Sequence, residues 1–197
     1  MSEATRVSSW GDDMYGLVNA AFRELIIAKH GLTAWERLRD EAGLQADTFA
    51  LMDPYPDEIT QRMVKHGAAI VGLSTTELLH SFGEFWVEYT DREGYGSLFE
   101  IAGGSLQDFL LSLDELHVRV GRNFPKLKPP SFRFDVIDRN TMRMHYLTSR
   151  AGLCPFVTGL VSGLSHRFKT PVEVRQEECT LRGDDHCVFL LQFGEVR

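Results

Sequence analysis

The sequence predicts an α+β fold in which an N-terminal helical half packs on a C-terminal antiparallel sheet that carries one helix. Before Pro130, apolar residues recur at spacings of three and four, which is the period of amphipathic helices. After Pro130 the pattern becomes alternating, returns once to the helical period and then alternates again. With 197 residues, of which 43% are hydrophobic, the chain is long enough for one domain with a substantial core.

The helical half consists of five predicted helices preceded by a polar segment. Residues 1–13 are polar and acidic and predict a flexible leader, so we assign a single domain to residues 14–197. Ser74 and Glu77 form a capping-box pattern at the start of the fourth helix, and Ser105 is a candidate cap for the fifth. The helices are expected at residues 14–31, 33–44, 59–73, 74–90 and 105–121.

The sheet half consists of two predicted hairpins with one helix between them. The segment FPKLKPP connects it to the helical half as a stiff linker, because proline restricts the backbone. The segments DRN and RGDD separate the two strands of each hairpin. Strands are expected at residues 131–138, 141–150, 172–181 and 187–193, and the helix at residues 153–168.

Charge and cysteine content exclude several classes of protein. The net charge is −7 and lysine and arginine form no cluster, which disfavours a nucleic-acid partner. The apolar runs are too short and too interrupted to cross a membrane, and the N-terminus is too polar for a signal peptide. Three cysteines without the pattern of a small secreted domain indicate a reducing compartment, and we expect the cytoplasm.

A histidine lies on the apolar face of the fifth predicted helix. His117 follows Leu113 by four positions and precedes Val120 by three, which places it on the buried stripe. It is either a core histidine that is satisfied by a backbone carbonyl or a ligand to a metal ion or haem iron. The helix alone leaves both interpretations open.

Three polar side chains occupy alternate positions of a predicted strand. Tyr146, Thr148 and Arg150 are therefore expected to share one face. If this face is buried, the three donors require acceptors, because an unsatisfied donor costs about 1–3 kcal/mol. They form either the polar outer face of a hairpin or a surface that binds carboxylates, such as the two propionates of haem. His145 has the opposite parity and is expected to face away.

These segments resemble the haem nitric oxide/oxygen-binding (H-NOX) domain of bacterial gas sensors and of soluble guanylate cyclase. The resemblance extends from about Met14 to Phe193 and includes MYGLVN, FGEFWVEYT, GYGSLFEIAGGSL, LDELHVRV, FPKLKPPSF and MHYLTSR. Its most specific part is a histidine in LD-x-L-H, followed by a proline pair and by Tyr-x-Ser-x-Arg. This chain has Thr148 in place of the usual serine, and a threonine hydroxyl makes the same hydrogen bond.

The resemblance implies that one haem b lies buried between the two halves. His117 would be the ligand to the iron, and Pro130 would press on the porphyrin. Asp57 would pair with the arginine of the Tyr-x-Ser-x-Arg motif. The residues implied to hold the propionates are Tyr146, Thr148 and Arg150.

The gas-binding side of the haem is implied to face Trp86 and Phe156. Family members that hold O₂ place a tyrosine there, and the segment LCPFVTGLV contains none. The resemblance therefore implies a five-coordinate ferrous haem that is selective for nitric oxide, also binds carbon monoxide and does not hold O₂. Nitric oxide would break or strain the bond to His117 and free its helix to shift.

The implied function is gas sensing, and we do not expect an enzyme. No effector domain is recognisable, so the expected partner is a separate signalling protein such as a histidine kinase or a cyclic-dinucleotide enzyme. One alternative is a haem oxidoreductase, either a peroxidase or a nitric-oxide-consuming enzyme, but the helices of Trp86 and Phe156 offer no distal acid or base. Another is a haem-free zinc or small-molecule binding module, suggested by EECTLRGDDHC, which would leave His117 and Arg150 without a role.

The cysteines suggest a second metal site. Some bacterial members of the family carry zinc on three cysteines and a histidine, and Cys154, Cys179 and Cys187 match those cysteines. The histidine position is Gln176 here, and zinc prefers four nitrogen or sulfur ligands. His186 is a substitute by sequence distance, but it neighbours Cys187 and adjacent strand residues face opposite sides. Zinc, three reduced thiols and a redox-sensitive disulfide remain open.

Overall fold

A computed structural model describes residues 13–45, 47–96, 104–123 and 128–194 of the chain. Its helices are α1 (Gly16–His30), α2 (Leu32–Glu41), α3 (Asp57–Val71), α4 (Thr75–Thr90), α5 (Leu106–Asn123) and α6 (Cys154–Phe168). Its strands are β1 (Asp13–Tyr15), β2 (Pro54–Pro56), β3 (Ser131–Asp138), β4 (Thr141–Leu147), β5 (Val172–Glu178) and β6 (Cys187–Phe193). Within these ranges, no helix combines the length and the apolar character that a membrane span requires.

The C-terminal half is a four-stranded antiparallel sheet with the order β3-β4-β6-β5. Its inner face packs against α5 and α6 and forms one continuous core. Alternate residues of the two central strands supply this face, as the period of two predicts: Met142, Met144, Tyr146, Cys187, Phe189 and Leu191. The predicted α+β class is confirmed.

The N-terminal half consists of α1 to α4 around a second core, in which Phe22 and Trp35 are fully buried. The predicted capping box is present at the start of α4. The backbone N–H of Glu77 donates to Ser74 Oγ at 3.2 Å, and the backbone N–H of Ser74 donates to Glu77 Oε2 at 2.8 Å. This reciprocal pair fixes the residue at which α4 begins.

Several boundaries differ from the sequence-based expectation. The second helix ends at Glu41 instead of residue 44, and β5 ends at Glu178 instead of residue 181, because Thr180–Arg182 form a helical turn. The first helix begins at Gly16, because the residues before it form β1, which pairs with β2 in a two-stranded ribbon. By sequence alone, the two prolines of β2 predict a turn. A short ribbon at the edge of the fold tolerates them, because an edge strand does not need every backbone N–H. The strand expected to reach residue 150 ends at Leu147, so Thr148 and Arg150 lie beyond it. Asp13, the last residue of the predicted leader, belongs to β1, and residues 1–12 lie outside the described ranges.

The two halves meet where α4 crosses α6 with their backbones in contact. Gly83 of α4 faces the backbone of α6 at Phe156 and Leu160, and Gly159 of α6 faces the carbonyl of His80. A Cβ atom at either glycine would overlap with the backbone of the other helix. Glycine at these two positions therefore sets the distance between the helices, and with it the distance between the halves.

Gly159→Ala is expected to lower the free energy of unfolding in urea by about 1–3 kcal/mol, the usual cost of overpacking. Gly121→Ala is the matched control, since it also replaces a helical glycine but nothing lies within 4 Å of its Cβ position. Alanine is favoured over glycine inside a helix by roughly 0.5–1 kcal/mol, so the control should be slightly more stable than the parent. Equal stabilisation of both variants would contradict the close crossing.

Candidate functional site

A cavity of about 340 Å³ lies between the two halves. Its walls come from α1, α4, α5 and α6, from the inner face of the sheet and from the segment 128–130. Most of its lining is apolar and includes Leu17, Val18, Val87, Phe109, Leu110, Leu113, Leu116, Met144, Leu160 and Leu164. A mostly apolar cavity with a few polar groups is typical of a site for a small molecule or a cofactor.

His117 lies on one wall of the cavity, on the inward face of α5. Its Nδ1 is 2.9 Å from the carbonyl oxygen of Pro130. A carbonyl only accepts, so Nδ1 carries the proton and Nε2 keeps its lone pair. Burial lowers the pKa of His117, although the Pro130 carbonyl and Asp114 oppose this shift, so the ring is neutral near pH 7. A neutral imidazole held in this tautomer is the form that binds a metal.

Asp114, one helical turn before His117, is a further residue that positions the histidine. Its Oδ1 accepts a hydrogen bond of 3.1 Å from the backbone N–H of Phe132. The Phe132 ring lies 5.7 Å from the imidazole, measured between ring centroids. The imidazole orientation is thus fixed through Pro130 and Phe132 together. Sequence reasoning missed Asp114, although it is the acidic residue of the LD-x-L-H segment.

Tyr146 and Thr148 line the cavity where β4 ends. The phenol of Tyr146 is buried, and burial raises its pKa far above the ordinary value, so it stays protonated and able to donate. Thr148 Oγ1 accepts a hydrogen bond of 3.1 Å from the backbone N–H of Arg150. This hydrogen bond stabilises a turn after the strand. Thr148 and Arg150 therefore reach the cavity although neither belongs to β4.

Arg150 lines the cavity and is tied to three other segments of the chain. Its Nε donates to Asp57 Oδ2 at 2.9 Å, its Nη1 to the carbonyl of Lys128 at 3.0 Å, and its Nη2 to the carbonyl of Asp13 at 3.1 Å. The side chains of Arg150 and Asp57 are 7% and 0% exposed. Asp57 is the first residue of α3, where the helix dipole favours a carboxylate. The predicted pairing of Asp57 with the arginine is therefore present.

Trp86 of α4 and Phe156 of α6 also line the cavity. Phe82 packs between them, with its ring centroid 6.3 Å from Trp86 and 5.1 Å from Phe156. Among the described residues that line the cavity, His117 is the only histidine and Arg150 the only arginine. The walls formed by α4 and α6 thus offer no side chain that would act as a strong acid or base there.

The three cysteines converge in the core of the sheet half, outside the lining of the cavity. Cys154 Sγ is 3.0 Å from Cys187 Sγ and 3.6 Å from Cys179 Sγ, and all three sulfur atoms lie within 4.8 Å of one another. Burial raises the pKa of Cys154 to about 12, and the nearby Cys187 thiol adds to this. Burial opposes ionisation of Cys179 too, but the backbone N–H of Leu181 and the neighbouring thiols outweigh it and lower the pKa. The cluster can supply three sulfur ligands.

The two side chains considered for a fourth ligand lie on different sides of the sheet. The Gln176 amide interacts with Cys154. His186 faces the outer side, where its Nε2 is 2.9 Å from Nδ1 of His145. His145 faces away from the cavity, as its strand parity predicted. In the described part of the chain, the three cysteines are the only group of three or more potential metal ligands whose ligand atoms all lie within 4.8 Å of one another.

The family described as haem-NO-binding matches residues 15–176 of the chain. Soluble guanylate cyclase gcy-35 of Caenorhabditis elegans is 31% identical over 187 residues, which cover 90% of this chain and 27% of that protein. Soluble guanylate cyclase 89Da of Drosophila melanogaster is 24% identical over 155 residues, which cover 79% of this chain and 23% of that protein. The chain thus spans about a quarter of the length of these relatives.

Solved structures with the same fold are H-NOX proteins. An H-NOX protein from S. oneidensis in the Fe(II)NO ligation state superposes with a TM-score of 0.84 at 16% identity, covering 92% of this chain and 100% of that one. An oxygen-binding H-NOX domain related to soluble guanylate cyclases superposes with a TM-score of 0.79 at 19% identity, covering 93% of this chain and 96% of that one. Because the family match covers most of the sequence and the fold agrees throughout, this chain belongs to the haem-NO-binding (H-NOX) family.

Proposed function

We propose that this chain is a haem-based sensor of nitric oxide, that it is not an enzyme, and that His117 is the single protein ligand to a ferrous haem b in the cavity. The observation that carries the proposal is the hydrogen bond from His117 Nδ1 to the Pro130 carbonyl. It leaves the Nε2 lone pair for iron, and a backbone carbonyl is a usual partner for the other nitrogen of a metal-bound histidine. A ferrous haem held there would supply the chemistry that binds diatomic gases.

The lining of the cavity suits both the apolar porphyrin ring of haem and its two acidic propionates. The apolar walls suit the porphyrin, and the two propionates would meet Tyr146, Thr148 and Arg150. A guanidinium has five N–H groups, and the contacts with Asp57, Lys128 and Asp13 use three of them. We propose that the remaining donors of Arg150 bind a propionate while Asp57 balances its charge. Pro130 would contact the porphyrin face beside His117.

Selectivity for nitric oxide would follow from the wall that carries Trp86 and Phe156. A phenylalanine ring donates no hydrogen bond, and the indole N–H of Trp86 is a single neutral donor. Bound O₂ depends on such a donor far more than nitric oxide or carbon monoxide does. The scarcity of acids and bases on this wall also speaks against a peroxidase or another haem oxidoreductase.

The purified ferrous protein should bind nitric oxide and carbon monoxide but give no lasting oxygen-bound spectrum in air. Absorption spectra recorded under each gas check this. Phe156→Tyr should prolong the lifetime of the oxygen-bound form, because a neutral phenol would donate from that wall. Phe168→Tyr is the control, since Phe168 lies at the end of α6 and does not line the cavity. A long-lived oxygen-bound spectrum of the parent protein would show that the wall already contains a sufficient donor.

We propose that the signal leaves through α5. Hydrogen bonds from His117 to Pro130 and from Phe132 to Asp114 tie α5 to the start of β3, so α5 and this segment would shift together if the bond to iron were lost. The receiver would be a signalling protein, such as a histidine kinase or a cyclic-dinucleotide enzyme, that distinguishes the two positions of α5. Pull-down of candidate partners with and without nitric oxide tests this step.

We further propose that Cys154, Cys179 and Cys187 bind zinc. Tetrahedral coordination with Zn–S bonds of 2.3 Å places sulfur atoms about 3.8 Å apart. The distance of 3.6 Å between Cys154 and Cys179 already fits, and the 3.0 Å between Cys154 and Cys187 would have to widen. Gln176 or a water molecule would complete the coordination, since His186 lies on the other side of the sheet.

Elemental analysis of protein purified under reducing conditions should find about one zinc ion per chain at these thiols, in addition to haem iron. Cys187→Ser should remove it, whereas Ser162→Ala, on the same helix as Cys154 but outside the thiol cluster, should not. Haem iron without zinc in the parent protein would leave the cysteines as packing or redox-active residues.

A further inference from the structure

The outer face of the sheet carries a row of metal-ligating side chains that the haem and thiol sites do not use. The pairing between β4 and β6 brings the side chains of this row together. His145 of β4 lies opposite Val188 of β6, and His186 lies two residues before Val188, on the same face. Asp135 of β3 is a diagonal neighbour of His145 across the β3–β4 pair, since it lies opposite Arg143, two residues before His145. Diagonal neighbours with long or aromatic side chains reach one another across a sheet.

The three side chains form a directed hydrogen-bond chain. His145 Nε2 is 3.0 Å from Asp135 Oδ2, and His145 Nδ1 is 2.9 Å from His186 Nε2. A carboxylate accepts, so Nε2 of His145 carries the proton and its Nδ1 presents a lone pair to His186. This is the arrangement that orients a metal-bound histidine, with a carboxylate on the far nitrogen and a lone pair directed to the metal.

We propose that His145 and His186 form a divalent-metal site on the outer face of the sheet, of the class that takes zinc or a similar imidazole-preferring ion. The two facing nitrogens need to separate from 2.9 Å to about 3.3 Å, the spacing of two nitrogen ligands in a tetrahedral zinc site. His186 moves its proton to Nδ1 when the ion binds, so no net proton transfer is required. Asp135 is a positioning residue for His145.

The charges around the pair allow a cation and limit its affinity. Arg133 lies opposite His145 on β3 and repels a bound ion. Glu178 of β5 lies opposite Val188 and adds a carboxylate to this part of the outer face. Arg143 is engaged by Glu177 at 2.9 Å, which neutralises its charge locally. Water molecules complete the coordination, because the side chain of His145 is 24% exposed.

Equilibrium dialysis of the haem-loaded protein against zinc, followed by elemental analysis, tests the site. His145→Asn should bind one zinc ion fewer per chain than the parent, whereas His166→Asn, which alters an exposed histidine of α6, should bind the same number. Asp135→Asn should keep the stoichiometry but weaken binding by roughly tenfold or more. Arg133→Gln should tighten binding, because it removes the opposing charge.

Cys187→Ser separates this site from the thiol site. If both exist, Cys187→Ser and His145→Asn each lose one zinc ion and the double variant loses both. If only the outer site exists, Cys187→Ser matches the parent and His145→Asn binds none. Equal zinc stoichiometry and affinity in His145→Asn and the parent overturn the proposal, whatever Cys187→Ser shows. Each variant retains the haem spectrum of the parent if its fold is intact.

Discussion

His117→Gly is expected to lose nearly all of the ferrous haem spectrum that the parent protein shows. The substitution removes the proposed iron ligand and leaves the Pro130 carbonyl without the imidazole that donates to it. Loss of that one hydrogen bond costs about 1–3 kcal/mol, so the fold should survive while haem binding does not. Haem content after gel filtration, read from the absorption spectrum, measures the effect.

Two comparisons separate loss of the ligand from damage to α5. Added imidazole should restore a five-coordinate ferrous spectrum in His117→Gly, because it fits the space that the side chain leaves. Glu115→Gly places the same helix-weakening residue on the exposed side of α5, and it should retain haem like the parent. Full haem content with an unchanged spectrum in His117→Gly, without imidazole, would exclude the histidine as the ligand.

Arg150→Ala is expected to lower both the free energy of unfolding and the haem affinity. Removing one partner of a buried ion pair strands the other charge, here Asp57 with a fully buried side chain, at a cost of about 3–5 kcal/mol. The variant also loses the contacts to the Asp13 and Lys128 carbonyls and the proposed contact to a propionate. Urea unfolding of the haem-free protein and haem titration measure the two effects separately.

A double variant distinguishes structural from ligand-binding roles. Replacing both partners, Arg150→Met with Asp57→Leu, should recover much of the stability, since apolar pairs often replace buried ion pairs without loss. It should not recover haem affinity, because no donor to the propionate returns. Thr148→Ala should cost less than Arg150→Ala in both measurements, as it removes a neutral hydroxyl. Equal haem retention in Arg150→Ala and Thr148→Ala would contradict the prediction that Arg150 contributes more to haem binding than Thr148.

The fold class and the main candidate residues follow from the sequence for identifiable reasons. The change of period at Pro130 separates the two halves, and helical spacing places His117 on the buried face of α5. Strand parity correctly separates Tyr146, which lines the cavity, from His145, which does not. These inferences need only local periodicity, which the sequence records directly.

Other parts of the site depend on contacts that no local pattern records. Arg150 donates to the backbone carbonyls of Asp13 and Lys128. Every residue type has a backbone carbonyl, so the identity of these two residues does not predict the contacts. The pairing of His145 with His186 depends on the register between β4 and β6, which are more than forty residues apart. The end of β4 at Leu147 depends on the hydrogen bond from Arg150 to Thr148, which favours a turn over a longer strand.

The glycine crossing between α4 and α6 decides which parts of the molecule can move independently. Helices in backbone contact have no side-chain layer through which to slide, so we expect α4 and α6 to move together. Trp86 lies on α4 and Phe156 on α6, so their separation is expected to stay constant when other parts of the chain move. We expect a displacement of α1 to α3 relative to α6 to occur at the junction between α3 and α4, where Gly72 adopts a left-handed conformation with φ of 73°. A spectroscopic distance measurement between labels on α3 and α6 would detect that displacement. The same measurement between labels on α4 and α6 should give a constant distance.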